Sequence, residues 1–280
     1  MGCLNSEGHF EHWFGNIHLS GPCNRRCYFC IGQHMMALDA ENNLHRWPLL
    51  GLEEFIAECK TRAVREICLT GTNTDPLLYA YKCELVARLS EDFDIPLAIR
   101  TNGIAYSKEL FGIWDKASIT VCSLDSAINE RMMGNGKLPQ LRTILRDHPT
   151  MDIKINIVLG PENVDGGDLF RTLAGLSDMG VKRVNIREPY GQPHVGNPMD
   201  ADLFAGHKLG MPVYRWRSME VTYWDVHYVE VESVNLYATG RISITYPITQ
   251  DCADGGEVHE QSFFPGGRIR EQWLSQAAPA

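Results

Sequence analysis

Residues 16–32 read NIHLSGPCNRRCYFCIG: a short strand-like run, a glycine-proline turn, then Cys23, Cys27 and Cys30 spaced C-x₃-C-x₂-C. Asn16–Leu19 is the first of six runs of this kind. Glu66–Leu69, Leu97–Arg100, Ser118–Cys122, Lys154–Leu159 and Arg183–Arg187 follow, each short, rich in apolar and β-branched residues and closed by turn residues. Between them Leu52–Arg62, Tyr79–Leu89, Lys108–Phe111, Leu138–Arg146 and Asp168–Met179 repeat apolar residues at three and four spacings, which predicts helices. Strands alternating with helices mean a parallel sheet with right-handed crossovers. Six units are too few for the usual closed barrel, so the expected fold is α/β, a partial (β/α)6 TIM barrel open on one side. Its active site is expected where the loops after the strands converge, at their carboxyl ends.

Beyond Pro198 the pattern changes. Glu220–Pro247 is aromatic and β-branched, and Ala238-Thr239-Gly240 reads as a hairpin turn with glycine at positive φ. The expectation is a barrel over residues 1–198 and a C-terminal antiparallel β extension over 199–280, capping the open side within the same domain. A short closing helix over Arg268–Leu274 and a disordered AAPA end complete the outline. A chain of 280 residues with 44% apolar content can bury one large core.

Composition narrows the function. The net charge of −9, from 26 basic and 35 acidic residues, argues against a nucleic-acid partner, whose binding rests on neutralised phosphates. No apolar run reaches the roughly 18 residues of a membrane span, and the start lacks the regions of a secretory signal. A cytoplasmic location is expected, with no membrane partner. Nine cysteines in such a chain favour thiol or metal chemistry over disulfides. Outside the triplet they are scattered singly and read mostly as core filler.

Three thiolates on one loop can hold three corners of a cubane iron–sulfur cluster and leave the fourth iron open to a ligand. Two other readings stay open at this level. A zinc site would want four closed ligands, with His34 available as the fourth, and a redox pair would leave Cys23 idle.

The spacing, the aromatic Phe29 before the third cysteine and the position after the first strand resemble the radical S-adenosylmethionine (SAM) superfamily. The resemblance covers roughly residues 15 to 190, and the last three strands loosely resemble the subgroup of MoaA and viperin. It implies a [4Fe–4S] cluster on Cys23, Cys27 and Cys30. SAM would bind the unique iron and be reduced to methionine and a 5′-deoxyadenosyl radical. It implies too that Gly71, Thr72 and Asn73, in LTGTNTDP, stand where the superfamily has Gly-Gly-Glu-Pro. No glutamate stands at Asn73, so that side chain or Asp75 would supply any extra acceptor for the SAM ammonium group. Asn102, in RTNG, and Ser123 and Asp125, in VCSLDS, match further strand-end motifs. Each has a plainer reading, as a turn or as the cap of the next helix. Asn156, polar within IKINIVLG, must find a partner inside the sheet, SAM among the options. Arg187, beside Glu188, suits a carboxylate of SAM or substrate, or a local salt bridge.

Only Cys252 follows residue 122, so a single cluster is expected and MoaA activity itself is disfavoured. The triplet's early position is expected to leave no room for a cobalamin or peptide-leader domain. The expected function is hydrogen abstraction from a small molecule, nucleotide-like or sugar-like among the options, with a flavodoxin or ferredoxin as one-electron donor. The rivals are an activase or peptide-modifying enzyme and, from another class, a zinc-bound structural module. Tyr214, Arg215, Trp216, Arg217, Tyr223 and Trp224 read either as a ligand-stacking cluster or as an aromatic β-sheet.

Overall fold

Strands in this chain alternate apolar and polar side chains, and the alternation decides which face meets the helices. A computed structural model describes residues 13–33, 41–190, 192–208, 210–225 and 232–244. The first strand and helix are β1 (Phe14–Leu19) and α1 (Leu52–Thr61), followed by β2 (Ile67–Gly71) and α2 (Lys82–Asp92). Next come β3 (Leu97–Thr101), α3 (Lys108–Phe111), β4 (Lys116–Thr120), α4 (Ser126–Met133) and α5 (Leu141–Asp147). Then follow β5 (Asp152–Val158), α6 (Pro161–Val164), α7 (Asp168–Asp178) and β6 (Arg183–Arg187). These six strands pair consecutively, β1 to β6, and all in parallel. The six-unit expectation holds, with boundaries moved by a few residues. The fourth strand ends at Thr120 because Val121 and Cys122 already belong to the loop that turns into α4. Asp125 caps that helix, accepting from the Ala127 and Ile128 N–H groups, and Gly134 at φ 77° ends it.

The C-terminal strands are β7 (Phe204–Lys208), β8 (Met211–Trp216), β9 (Met219–Trp224), β10 (Ser233–Leu236) and β11 (Ile242–Ser243). They add antiparallel pairs as expected, but on both edges. β7–β8–β9 form a ribbon whose last strand joins β6 in parallel, while β10 joins β1 in parallel and pairs with β11 across the hairpin at Gly240, φ 85°. Among the described residues the order is β11-β10-β1-β2-β3-β4-β5-β6-β9-β8-β7, an open sheet. Only nine peptide steps, at most about 30 Å of chain, separate Trp224 on one edge from Ser233 on the other. The expected helix at Arg268–Leu274 lies outside the described residues.

The apolar core sits outside the curve of the sheet. Ile17, Ile99, Ile119, Ile155, Ile157 and Ile186 are each at most 1% exposed and pack among Phe55 of α1, Leu85 and Leu89 of α2, and Leu169, Leu173 and Leu176 of α7. At about 1.5–3 kcal/mol for each buried aliphatic side chain, this layer dominates the fold's stabilisation. The opposite face is polar. By register it carries Asn16 and His18 on β1, Thr70 on β2, Arg100 on β3, Thr120 on β4, Lys154 and Asn156 on β5, and Asn185 and Arg187 on β6. Inner positions of such barrels are usually filled by branched apolar residues. Here they open into a cavity.

Candidate active site

The cavity lies at the carboxyl ends of the parallel strands and is lined by Cys23, Cys27, Phe29 and Cys30, by residues 70–76 at the end of β2 and in the loop beyond it, and by Asn16, His18, Arg100, Asn102, Thr120, Asn156, Arg187 and Glu188. The cysteine loop is fixed from several sides. The Gly21 N–H donates to Asn73 Oδ1 at 3.0 Å, and the Arg26 N–H donates to the Met133 carbonyl at the end of α4 at 3.0 Å. Arg25, 5% exposed, turns its guanidinium onto the Asn135 and Lys137 carbonyls, and the Tyr28 hydroxyl donates to Glu162 Oε2 at 2.9 Å. Gly32 is required by contact: a Cβ there would lie 2.5 Å from both Asn73 Cβ and the Thr72 carbonyl oxygen.

Gly71 is required by the turn after β2, since a Cβ would stand 1.9 Å from the Thr74 carbonyl oxygen. Thr72 is pinned to β1, its N–H and hydroxyl both donating to the Leu19 carbonyl at 2.9 and 3.0 Å. Its own carbonyl accepts from Cys30 Sγ at 3.6 Å. The side-chain acceptors expected here are spent within the protein. Asn73 Oδ1 holds the cysteine loop, as above. Asp75, 2% exposed, accepts from the Leu77 N–H at 2.9 Å, the Thr101 hydroxyl at 2.8 and 2.9 Å and the Asn102 N–H at 2.6 Å. Asp75 therefore ties the β2 loop to the end of β3 instead of facing a ligand, and the backbone carbonyls of this loop are what it offers.

Asn102 has the same positioning character: its amide donates to Asn24 Oδ1 in the cysteine loop at 2.6 Å, and its oxygen accepts from the Ile104 N–H at 3.0 Å. Ser123 and Asp125 do not line the cavity. Ser123, fully buried, accepts from the Asp125 N–H at 2.8 Å, and Asp125 caps α4, so the plainer reading describes both. Phe29 lines the cavity with its ring edge-on to Tyr28, centroids 5.4 Å apart. Arg187 reaches the rim with its guanidinium 5.5 Å from the Trp224 ring. Glu188 turns away from it, accepting from the Val195 and Gly196 N–H groups at 2.9 and 2.8 Å and from the Tyr223 hydroxyl at 2.6 Å. The aromatic segment 211–224 is β8 and β9, the β-sheet reading. Asn16, His18, Thr70 and Arg100 were missed as cavity residues, although each is a polar side chain two positions from another or from a strand end.

Residues 17–173, more than half the chain, match the family model of the radical SAM superfamily. The chain belongs to the radical SAM superfamily. No curated protein matches it in sequence. Among solved structures this radical SAM protein is similar to Streptococcus suis SuiB bound to the precursor peptide SuiA, with a TM-score of 0.60 at 14% identity over 96% of this chain and 66% of that one. It is also similar to SuiB bound to S-adenosylmethionine, with a TM-score of 0.54 at 13% identity over 86% and 60% of the two chains. The chain thus spans less than two thirds of the SuiB chains, and at this identity the likeness is one of fold.

The superfamily uses a [4Fe–4S] cluster and SAM, and the residues present suit both. Burial, and then repulsion from Cys30 and Cys23, pushes the Cys27 thiol up to about 12. Three thiols crowded in this way become thiolates only against strong positive charge, which cluster irons provide. A cubane takes one thiolate per iron, which suits three cysteines spaced along one loop at the same cavity. His34 lies outside the described residues. For SAM, Asn156 is 4% exposed on the cavity wall, and its Oδ1 has no protein partner. No described helix is long and apolar enough to cross a membrane.

Proposed function

We propose that this radical SAM enzyme holds one [4Fe–4S] cluster on Cys23, Cys27 and Cys30 and binds SAM between the backbone of Gly71, Thr72 and Asn73 and the inner wall at Asn156 and Arg187. When bound, the pair supplies reductive cleavage of SAM to methionine and a 5′-deoxyadenosyl radical that takes a hydrogen atom from the substrate. The chain's own part is placement. Phe29 and Met133 shield the thiols, the β2 loop carbonyls accept from an ammonium group, and Arg187 faces a carboxylate. Asn102 and Asp75 keep the two loops in register, and preorganised donors and acceptors need no rearrangement at the moment of reaction. The observation that carries the reading is the convergence of the three cysteines, the glycine turn after β2 and an unpartnered buried amide on one cavity.

The substrate proposed is a small molecule held on the polar inner face, with a flavodoxin- or ferredoxin-type protein as electron donor and the cytoplasm as location. Residues 1–198 are the catalytic barrel, and 199–280 extend it within one domain. Modification of a peptide is the second reading, favoured by the match to SuiB bound to its precursor peptide over 96% of this chain. Anaerobic protein rebuilt with iron and sulfide, given SAM and dithionite, should release 5′-deoxyadenosine, and Cys27→Ala should lose both the cluster and the release. Cleavage that persists in Cys27→Ala would refute the ligand assignment. An iron-loaded wild type that makes no 5′-deoxyadenosine would refute the function.

A further inference from the structure

Below the level assigned to SAM, the β1 wall of the cavity presents groups that cluster and SAM binding do not use, and hydrogen bonding to β10 fixes which atom each one shows. Asn235, on β10 and in register with Asn16, is fully buried. The Ser233 and Ser243 carbonyls, 3.3 and 3.4 Å from its amide nitrogen, can only accept. The Asn235 nitrogen therefore faces them, and its Oδ1 faces β1. Two β1 side chains converge on that oxygen, Asn16 Nδ2 at 3.0 Å and His18 Nε2 at 3.3 Å. Since Oδ1 only accepts, both must donate. Asn16 thus spends its nitrogen on β10 and keeps its oxygen, while His18 carries its proton on Nε2 and keeps a lone pair on Nδ1.

The two remaining atoms are neutral acceptors. Asn16 and His18 are both buried and both line the cavity. Asn16 Oδ1 has no partner among the described residues, and none of them bonds His18 Nδ1. Burial lowers His18 to about 4, so the ring stays uncharged, and it stacks on Tyr237 with centroids 5.0 Å apart. Buried acceptors are rarely left unmatched, because the hydration they lose is not returned. Thr70, in register with His18 on β2 and also on the cavity wall, adds a hydroxyl that gives as well as accepts. The carboxylates of the wall are committed, Asp75 to β3 and Glu188 to the Val195 and Gly196 amides. An ammonium group would therefore enter without a counter-charge, which is costly in a buried place. An N–H gives a hydrogen bond but takes none from Thr70. A hydroxyl does both and is neutral.

We propose that Asn16 Oδ1, His18 Nδ1 and the Thr70 hydroxyl form a subsite for substrate hydroxyl groups, so that the substrate carries a neutral polyhydroxy moiety of the sugar class at the β1 and β2 wall. The C-terminal strand β10 is what sets both β1 acceptors, through Asn235. This deepens the function proposed above and rests on it for the word substrate, but the subsite is testable without turnover.

D-ribose is the probe, given to the cluster- and SAM-loaded enzyme without reductant. Its binding is read by saturation-transfer NMR and the His18 ring by ¹⁵N NMR of histidine-labelled protein, the signal lost in His18→Gln giving the assignment. His18 should show the Nε2–H tautomer, and ribose should bind and move Nδ1 upfield. Tetrahydrofuran, the same ring without hydroxyls, and methylammonium should do neither. Asn16→Leu should weaken ribose about tenfold, the effect of one or two lost hydrogen bonds, and leave SAM affinity unchanged. His18→Phe keeps an aromatic ring beside Tyr237 and should weaken ribose equally. His18→Gln, which keeps a donor for Asn235 and an acceptor for the ligand, should recover most of that loss and so separate lost bonding from misfolding. The proposal is overturned by an Nδ1–H ring, by no ribose-dependent shift at His18, or by equal ribose binding in wild type, Asn16→Leu and His18→Phe. Methylammonium binding in place of ribose would overturn it too, as would a His18 shift caused by SAM alone to which ribose adds nothing. Release of 5′-deoxyadenosine under dithionite is scored separately. Its absence would sink the enzymatic reading and leave the ribose result standing, and the reverse outcome would sink only the subsite.

Discussion

Replacing Asp75 by asparagine keeps the side chain's shape and removes one acceptor from a buried junction. Oδ1 accepts from the Leu77 N–H at 2.9 Å and the Thr101 hydroxyl at 2.8 Å, while Oδ2 accepts from Thr101 at 2.9 Å and the Asn102 N–H at 2.6 Å. Whichever oxygen becomes the amide nitrogen, one backbone N–H loses its acceptor and meets another donor. A hydrogen bond to a charged group contributes about 1.5–3 kcal/mol, and a stranded buried donor costs about 1–3 kcal/mol more. Part of this is offset, because burial pushes the Asp75 carboxyl up and a neutral side chain escapes that desolvation. The net expectation is a loss of about 2–4 kcal/mol, a large share of a typical domain's 5–15 kcal/mol. Since Asn102 holds Asn24 of the cysteine loop and the residues before Asp75 form the proposed SAM cradle, SAM affinity should fall about tenfold. Urea unfolding followed by circular dichroism gives the first quantity, and equilibrium SAM binding to the reconstituted protein gives the second. An Asp75→Asn protein within about 0.5 kcal/mol of wild type and with unaltered SAM affinity would refute the reasoning.

Gly32→Ala should push the cysteine loop from the β2 turn, because the new methyl meets backbone at 2.5 Å; overpacking of this kind costs about 1–3 kcal/mol, and iron bound per chain is the readout. His18, which faces Asn235, Tyr237 and Arg100, is lowered by burial from 6.5 to about 4. Its stabilisation is full above pH 6.5 and is lost as pH falls toward 4, because the unfolded chain then binds a proton that the folded ring refuses. The difference is worth up to about 3 kcal/mol, and His18→Gln should flatten that limb of the stability profile. Tyr223→Phe removes the donor 2.6 Å from Glu188 Oε1 and should cost about 1–3 kcal/mol in urea unfolding; no change would mean that Glu188 is held by the Val195 and Gly196 amides alone.

The sheet order from β1 to β6 was legible because Ile17, Ile99, Ile155 and Ile186 mark short apolar strands between helices of clear period. The placement of β9 and β10 was not. Nothing local in Met219–Trp224 or Ser233–Leu236 states which edge a strand joins or in which direction, since pairing across the chain is a tertiary choice. Spacing marked out the cysteine triplet but left a zinc site and a redox pair open, and only the resemblance to the radical SAM superfamily pointed to a cluster. The strand-end motifs divided. Asn156 and Arg187 do face the cavity, whereas Ser123 and Asp125 build the start of α4, and a motif match cannot separate a ligand contact from a cap made by the same residue types. Arg100 and Asn16 escaped notice because a single polar residue inside a strand gains its meaning only from the register that aligns it with its neighbours.

Stability and chemistry occupy opposite sides of this sheet. The isoleucines and leucines that secure the fold face the helices, and the polar groups that line the cavity face inward, so one period-2 alternation writes both. Exchanges confined to inner positions such as Asn16, Thr70 and Arg100 leave the outer apolar layer intact. The lining of the cavity can therefore be rewritten at every second residue of the strands, while the intervening residues keep the scaffold folded throughout.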